Sequence, residues 1–538
     1  MQPGLLEEFT MKNTPKHRAI SRMRLSAANA ALAFAAVLLP AVIAAQSPEA
    51  QTFAVIHSFV TADGPKPEQG GLIQGVNGDL WGTTQYGGVS SSGSVFKMTL
   101  DGKLTTMYNF CSPPEEGNCV LGLAPGALVL GTNGDIYGVS EYGGLSGSGI
   151  LFKTISSSGE TVGLGDFQVL EPPNETNGTG ANPVGALVEA ADGKFWGVAQ
   201  YGGQLGQGTK FEVGPRGSLG SAVSFGCIEP NCNNGFLVAG GLGLGADGNF
   251  YGTTESGGTG AFGGGPGGVQ YGGAVFSITP SGTVTTIYSF CSLSDCTDGQ
   301  APTGALVQGA DGDFYGTTFY GGAGTACFNP HPGVLGCGTV FEITPGGTLT
   351  TLHSFCMQSG CLDGQNPSTG LTLGSDGNLY GTTSNGGSAP SAHCSDNPCG
   401  TIFEVSTPSG PLTTLYSFCV KGEQCTTGGG PVAPLMQDTN GDFYGTTTTG
   451  GNSSSGNGTV FRLSTGLASG AVGAAVKILG TGLTGATSVT FNGTAATFTV
   501  VLGSEITTTV PAGATSGAVQ VTTPNGTLSS NGSFVVTP

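Results

Sequence analysis

The chain has 538 residues, 100 of them glycine and 30 proline, with only 9% charged side chains and a formal net charge of −19. So few cations exclude nucleic acid and anionic membrane surfaces as partners, because both require a basic footprint. The glycine and proline content would signal disorder in a chain without a period, but here a period is present.

The N-terminus reads as a leader. Lys12, Lys16, Arg18, Arg22 and Arg24 precede an apolar run from Ala30 to Ala45, and small residues lie before Gln46. This is the order of a cleaved secretory signal, residues 1–45. About 15 apolar residues, interrupted by Pro40, fall short of the roughly 20 that span a bilayer. Glu7 and Glu8 are out of place in a signal, so Met11 is the alternative start. Five of the 15 basic and two of the 34 acidic residues lie in the leader, which leaves ten against 32 and a net charge near −22. The expectation is a secreted or cell-surface protein with no membrane span after cleavage.

From residue 46 to 465 one phrase recurs seven times. Its clearest copy starts at Gly304 with GALVQGADGDFYGTTFYGG and continues after a loop with GTVFEITPGGTLTTLHSF. The aromatic before the fixed glycine is Trp81, Tyr137, Trp196, Tyr251, Tyr315, Tyr380 and Tyr444, at intervals of 55 to 65 residues. A phenylalanine recurs in step as Phe96, Phe152, Phe211, Phe276, Phe341, Phe403 and Phe461. Such repetition marks a repeat architecture. Each copy holds four short strands, A to D, expected in the clearest copy near 305–309, 313–319, 338–344 and 348–355. Asp-Gly and Gly-Gly supply the positive-φ positions of tight hairpins.

Four antiparallel strands per unit predict propeller blades. The seventh copy stops after its C strand at Ser464, and the segment TFAVIHSF at 52–59 matches the D strand TLTTLHSF at 348–355. The expected fold is therefore all-β: a seven-bladed β-propeller closed by an N-terminal strand, since a ring abolishes open edges. An open array is the competing architecture. The recurring aromatics are read as packing between sheets.

The 14 cysteines fall in close pairs: Cys111/Cys119, Cys227/Cys232, Cys291/Cys296, Cys327/Cys337, Cys356/Cys361, Cys394/Cys399 and Cys419/Cys425. An even count in an exported chain reads as disulfides. Seven local bridges are the simplest connectivity, although nearby loops could exchange partners. A thiolate metal site would need converging pairs with histidine support, and the five histidines are scattered. Five pairs lie in D-to-A connections and two, Cys327/Cys337 and Cys394/Cys399, in B-to-C loops. Both kinds of connection emerge at one end of a blade. Stapled loops there suit a binding surface, and they equally suit bracing of blades with small cores.

At the same end, Tyr86, Tyr142, Tyr201 and Tyr320 precede Gly-Gly, and three copies carry Ser256, Asn385 and Thr449 instead. A position that differs between copies is a candidate ligand contact, as are Glu141 and Glu255, the acids one residue earlier in the second and fourth copies. The repeated Asp-Gly residues read as turns, without calcium-loop spacing. No nucleophile elbow, phosphate loop or Ser/His/Asp set is present, and no catalytic residue, metal or cofactor is predicted.

Residues 466–538 lose the period. The phrases VKILGTGL, VTFNG and VPAGATSG resemble the IPT/TIG immunoglobulin-like domain, which implies a β-sandwich here; its usual Pro-x-x-Gly opening is missing, so a short first strand is expected. The repeats, with GADGDFYGTT and GTVFEIT, resemble the bacterial GloVer tandem repeats. That resemblance, which goes with the label "choice-of-anchor", implies an exported bacterial protein and no established activity. The functional expectation is an extracellular or cell-surface binding or adhesion-type repeat protein. Its partner would be an unidentified extracellular ligand, glycan or protein. The alternative is a secreted propeller enzyme, a polysaccharide hydrolase or lyase, which would need converging carboxylates.

Overall fold

The computed structural model describes residues 52–537 apart from loop stretches, the longest being 112–118, 167–179, 226–235, 263–269, 325–335 and 388–398. The predicted leader and Cys227, Cys232, Cys327 and Cys394 lie outside the described residues. The described chain is all-β, with a single 3-10 turn at Ser294–Cys296 and no α-helix.

Each repeat forms one antiparallel sheet in the order A-B-C-D. In the fifth, B, C and D are Phe314–Tyr320, Thr339–Ile343 and Leu349–Ser354. Strand A differs from expectation: it is split into Gln300–Pro302 and Val307–Gln308, both paired with strand B. Between the pieces, Gly304 packs on the next repeat, where a Cβ would come within 2.1 Å of the Gly370 nitrogen. Only glycine allows so close a backbone approach, and that approach interrupts the strand. In the second to fourth repeats strand A is continuous but has a register irregularity at the corresponding place.

The fixed aromatic-glycine pair has a cross-strand cause. The glycine of strand B lies directly opposite the phenylalanine of strand C in all seven repeats, from Gly82↔Phe96 to Gly445↔Phe461. A Cβ at these glycines would meet the ring tip at 2.4 to 2.6 Å. The ring therefore lies over its partner strand, and any side chain on the glycine would displace it.

Neighbouring sheets share hydrophobic clusters, each joining the aromatic of one repeat to the phenylalanine of the next. Trp81 clusters with Phe152, Tyr137 with Phe211, Trp196 with Phe276 and Tyr251 with Phe341. Tyr315 clusters with Phe403, Tyr380 with Phe461, and Tyr444 of the seventh repeat with Phe96 of the first. Burial of each such side chain contributes about 1.5–3 kcal/mol. Strand-B threonines add hydrogen bonds to carbonyls in or next to strand A of the following sheet. Thr83 donates to Gly126 (2.9 Å), Thr253 to Gly304 (3.2 Å), Thr317 to Thr369 (2.6 Å), and Thr446 to Pro67 (3.2 Å). The packing is propeller-like.

The N-terminal strand Thr52–Ser58 pairs antiparallel with Thr459–Ser464, Thr52 opposite Ser464. It skips Ile56 in a bulge at the place where the D strands of the first and fifth repeats skip Met107 and Leu352. Phe53 stacks on Tyr416 of the sixth repeat (3.7 Å between centroids), and Phe59 is fully buried.

After Ser464 two sheets share a separate core. Ala475–Leu479, Glu505–Thr509 and Phe498–Leu502 form one; Thr494–Ala496, Ser488–Phe491, Val519–Thr523 and Gly526–Ser529 form the other. Ile478, Val489, Phe491, Ile506, Val521 and Phe534 fill the space between them. Ser469–Ala471, three residues long, pairs parallel with Val535–Thr537.

Candidate binding face

The two ends of the repeat sheets are chemically different. At one end the same backbone hydrogen bond closes the A-B turn in every repeat, from Gly75 N to Asp79 O through Asp438 N to Asp442 O, at 2.7 to 2.9 Å. Cations collect here: Lys97 pairs with Asp79 (3.2 Å), Lys153 with Asp135 (3.1 Å), Lys194 with Glu212 (2.5 Å) and Arg462 with Asp442 (3.9 Å). The fifth repeat departs from this, placing carboxylate oxygens of Asp311, Asp313 and Glu342 within 4.8 Å of one another. Burial, a hydrogen bond with Asp313 and the neighbouring negative charge push the Glu342 carboxyl above the usual carboxylate range.

The other end carries the B-C loops and the D-A connections. The predicted bridges Cys111–Cys119, Cys291–Cys296, Cys356–Cys361 and Cys419–Cys425 are formed, with Cα atoms 4.1 to 4.8 Å apart. Cys337 and Cys399 are also disulfide-bonded, and no described cysteine is free.

A second latch in the D-A connections escaped the sequence reading. The D-strand His57 bonds Asp63 (3.1 Å), which also accepts from the Val60 amide (3.1 Å). His353 bonds Asp363 (2.9 Å), which accepts from the Cys356 amide (3.1 Å), and the Tyr288 hydroxyl donates to Asp298 (2.8 Å), which accepts from Ser292 (2.9 Å). The available signal was an aspartate six to ten residues after a D-strand His or Tyr.

The strand-B ends present the candidate residues. Tyr86, Tyr142 and Tyr201, on three consecutive repeats, are 46%, 42% and 45% exposed. Glu141 accepts a hydrogen bond from Tyr142; that bond, with burial and the nearby phenols of Tyr201 and Tyr86, pushes the Tyr142 phenol up to about 12. Tyr320 lies apart from this row, half-buried against Phe319 (4.7 Å). Its phenol is raised by burial first and by Glu255 second. Glu255 reaches solvent yet is enclosed by neighbouring atoms, and that desolvation holds its carboxyl above the usual range. Glu141 and Glu255 thus attend different tyrosines. Asn385 and Thr449 instead bridge by backbone to their own D-A connections, at Gln365 and Gly429.

Two further groups at this end carry no sequence signal. The Gln85 side chain, 9% exposed and next to Tyr86, has a buried carboxamide oxygen with no hydrogen-bond partner. So does Gln300, 5% exposed and directly opposite Tyr320 in the sheet.

Two segments, residues 41–265 and 264–510, match the model of the Gloeobacter/Verrucomicrobia repeat. The chain belongs to this repeat family. The second match runs past Ser464 into the C-terminal sheets. No curated protein matches the chain. Among solved structures it is similar to a fungal alcohol oxidase of the AA5 family in complex with copper, at 12% identity and TM-score 0.44, over 90% of this chain and 99% of that one. It is also similar to a proposed 6-phosphogluconolactonase from Bacteroides fragilis, at 15% identity and TM-score 0.41, over 72% and 98%. TolB from Acinetobacter baumannii matches at 12% identity and TM-score 0.32, over 60% and 59%.

Proposed function

We propose that this protein is an exported seven-bladed β-propeller, residues 46–465, followed by an immunoglobulin-like sandwich of IPT/TIG type, residues 466–538, and that it works as a binding or adhesion-type module. Closure of the ring by Thr52–Ser58 is supported by the clusters that run in cyclic order and by the Thr446–Pro67 hydrogen bond. The ligand face is the loop end. One observation carries this reading: three tyrosines stand exposed on consecutive repeats, at a scaffold position that three other repeats fill with small polar residues, at the end of the sheets that carries the disulfides. Exposed aromatics on a braced surface are the usual anchors of recognition.

The test is an array of immobilised glycans and extracellular proteins probed with the intact chain. Replacing Tyr86, Tyr142 and Tyr201 together with Ala should remove the signals, while Lys103→Ala, at the turn end, should leave them. Signals that survive the tyrosine changes but vanish with Lys103→Ala would place recognition at the wrong end. A second reading, an enzyme acting on polysaccharide, draws on Glu255, whose desolvated carboxyl suits a proton donor. It requires turnover that Glu255→Gln abolishes.

A further inference from the structure

The chemistry around the tyrosines is one-sided. Glu141 and Glu255 offer carboxylate oxygens, and Gln85 and Gln300 offer buried carboxamide oxygens without donors. A buried acceptor left unpaired is unfavourable. Two of them, at the end of the sheets where the aromatics are exposed, fit a ligand that donates hydrogen bonds. The ion-paired lysines and the arginine of the described repeats sit at the opposite end, and Lys210, nearer the loop end, is buried beneath Trp196. Among the described residues, none of the ion-paired cations therefore faces a polyanion here, and the net charge of −19 repels one.

The donors wanted are hydroxyls more than ammonium groups. Glu141 already accepts the Tyr142 hydroxyl hydrogen, and the two buried acceptors without a donor are neutral amides, which carry no charge to hold a cation. The exposed rings follow one another across three repeats, which suits a linear ligand rather than a compact one. We infer that the loop end binds a neutral, hydroxyl-rich polysaccharide, with sugar-ring C–H faces on Tyr86, Tyr142 and Tyr201 and hydroxyls donating to Gln85 and Glu141, the acceptors next to that row. This rests on the binding-face reading and adds the chemical class of the ligand.

Native affinity electrophoresis of the full chain tests it, in gels cast with hydroxyethylcellulose, galactomannan, polygalacturonate or chitosan. Retardation is expected in at least one neutral gel and not in polygalacturonate. Tyr86→Ala/Tyr142→Ala/Tyr201→Ala should weaken that retardation at least about tenfold, and Gln85→Ala should weaken it a few-fold. The triple Tyr→Phe variant, which keeps the rings, should bind nearly as well and shows that the fold tolerates change at these sites. Retardation by chitosan or polygalacturonate alone, or by none of the four, overturns the inference. If the array then gives a tyrosine-dependent protein ligand, the binding face stands and only the polysaccharide falls. Neutral-gel retardation that is unchanged in the triple Ala variant removes both.

Discussion

At the turn end of the repeat sheets every A-B connection is short and closed by one recurrent backbone hydrogen bond, and several are flanked by ion pairs. At the loop end the same strands finish in connections of different length, held by disulfides and by aspartates that reach back to D-strand side chains. The turn end is uniform because it only has to reverse the chain. The loop end varies from repeat to repeat and tolerates exposed aromatics and unpaired buried amides. Such departures from local optimality gather where a protein meets something else.

The largest effect should come from removing what supports both ends of the seventh sheet. Deleting residues 46–60 strips the outer strand and, with it, Phe53 and the fully buried Phe59. Large buried aromatics contribute about 3–5 kcal/mol each, so the melting temperature should fall by roughly 10 °C or more. An unchanged melting curve would mean that the strand is dispensable and the sheets form an open array.

Lys210 sharpens the contrast from within the core. It is 1% exposed, over the Trp196 ring at 3.6 Å, and desolvation lowers its ammonium to about 8 against the ordinary 10.5, partly offset by Glu212. The folded state thus binds fewer protons than the unfolded state between these values. The penalty is complete below pH 8, and stability rises with pH from about 8 to about 10.5. Lys210→Met should stabilise the protein at pH 7 by up to about 3 kcal/mol and abolish a wild-type gain of about 1 kcal/mol between pH 8 and 9. Denaturant titrations at pH 7, 8 and 9 measure both; identical curves for the two proteins would refute the assignment.

Smaller effects should divide the two ends. Cys291→Ser/Cys296→Ser opens a loop-end staple and should cost about 2 kcal/mol, seen as faster amide exchange in that connection. Asp79→Asn at the turn end removes an ion pair with Lys97 and should cost less than about 1 kcal/mol, with a dependence on salt. If the turn-end change proves the costlier of the two, the distinction between bracing and mere reversal is wrong.

The sequence exposes what every copy shares. The aromatic-glycine and phenylalanine series and the four-strand unit were legible because they recur at matching places in every copy, and four of the seven cysteine pairs because their partners lie five to eight residues apart. The reason for the fixed glycine was not, since Gly82 and Phe96 meet only once strands B and C are paired. The splitting of strand A at Gly304 was hidden as well, because its cause, Gly370, belongs to the next sheet. Likewise Gln85 and Gln300 look like ordinary surface glutamines. Only the folded structure reveals a buried acceptor without a donor.

The pairing of Thr52 with Ser464 also sets an order of events during synthesis. The first strand to leave the ribosome finds its partner 412 residues later, roughly 20 to 80 s at ordinary elongation rates. Until then the first sheet keeps an apolar flank without its seventh-repeat cover, because Phe96 clusters with Tyr444 and Val460. A chain released early at any point before the seventh repeat carries that flank permanently, which marks it for proteases and separates finished molecules from fragments.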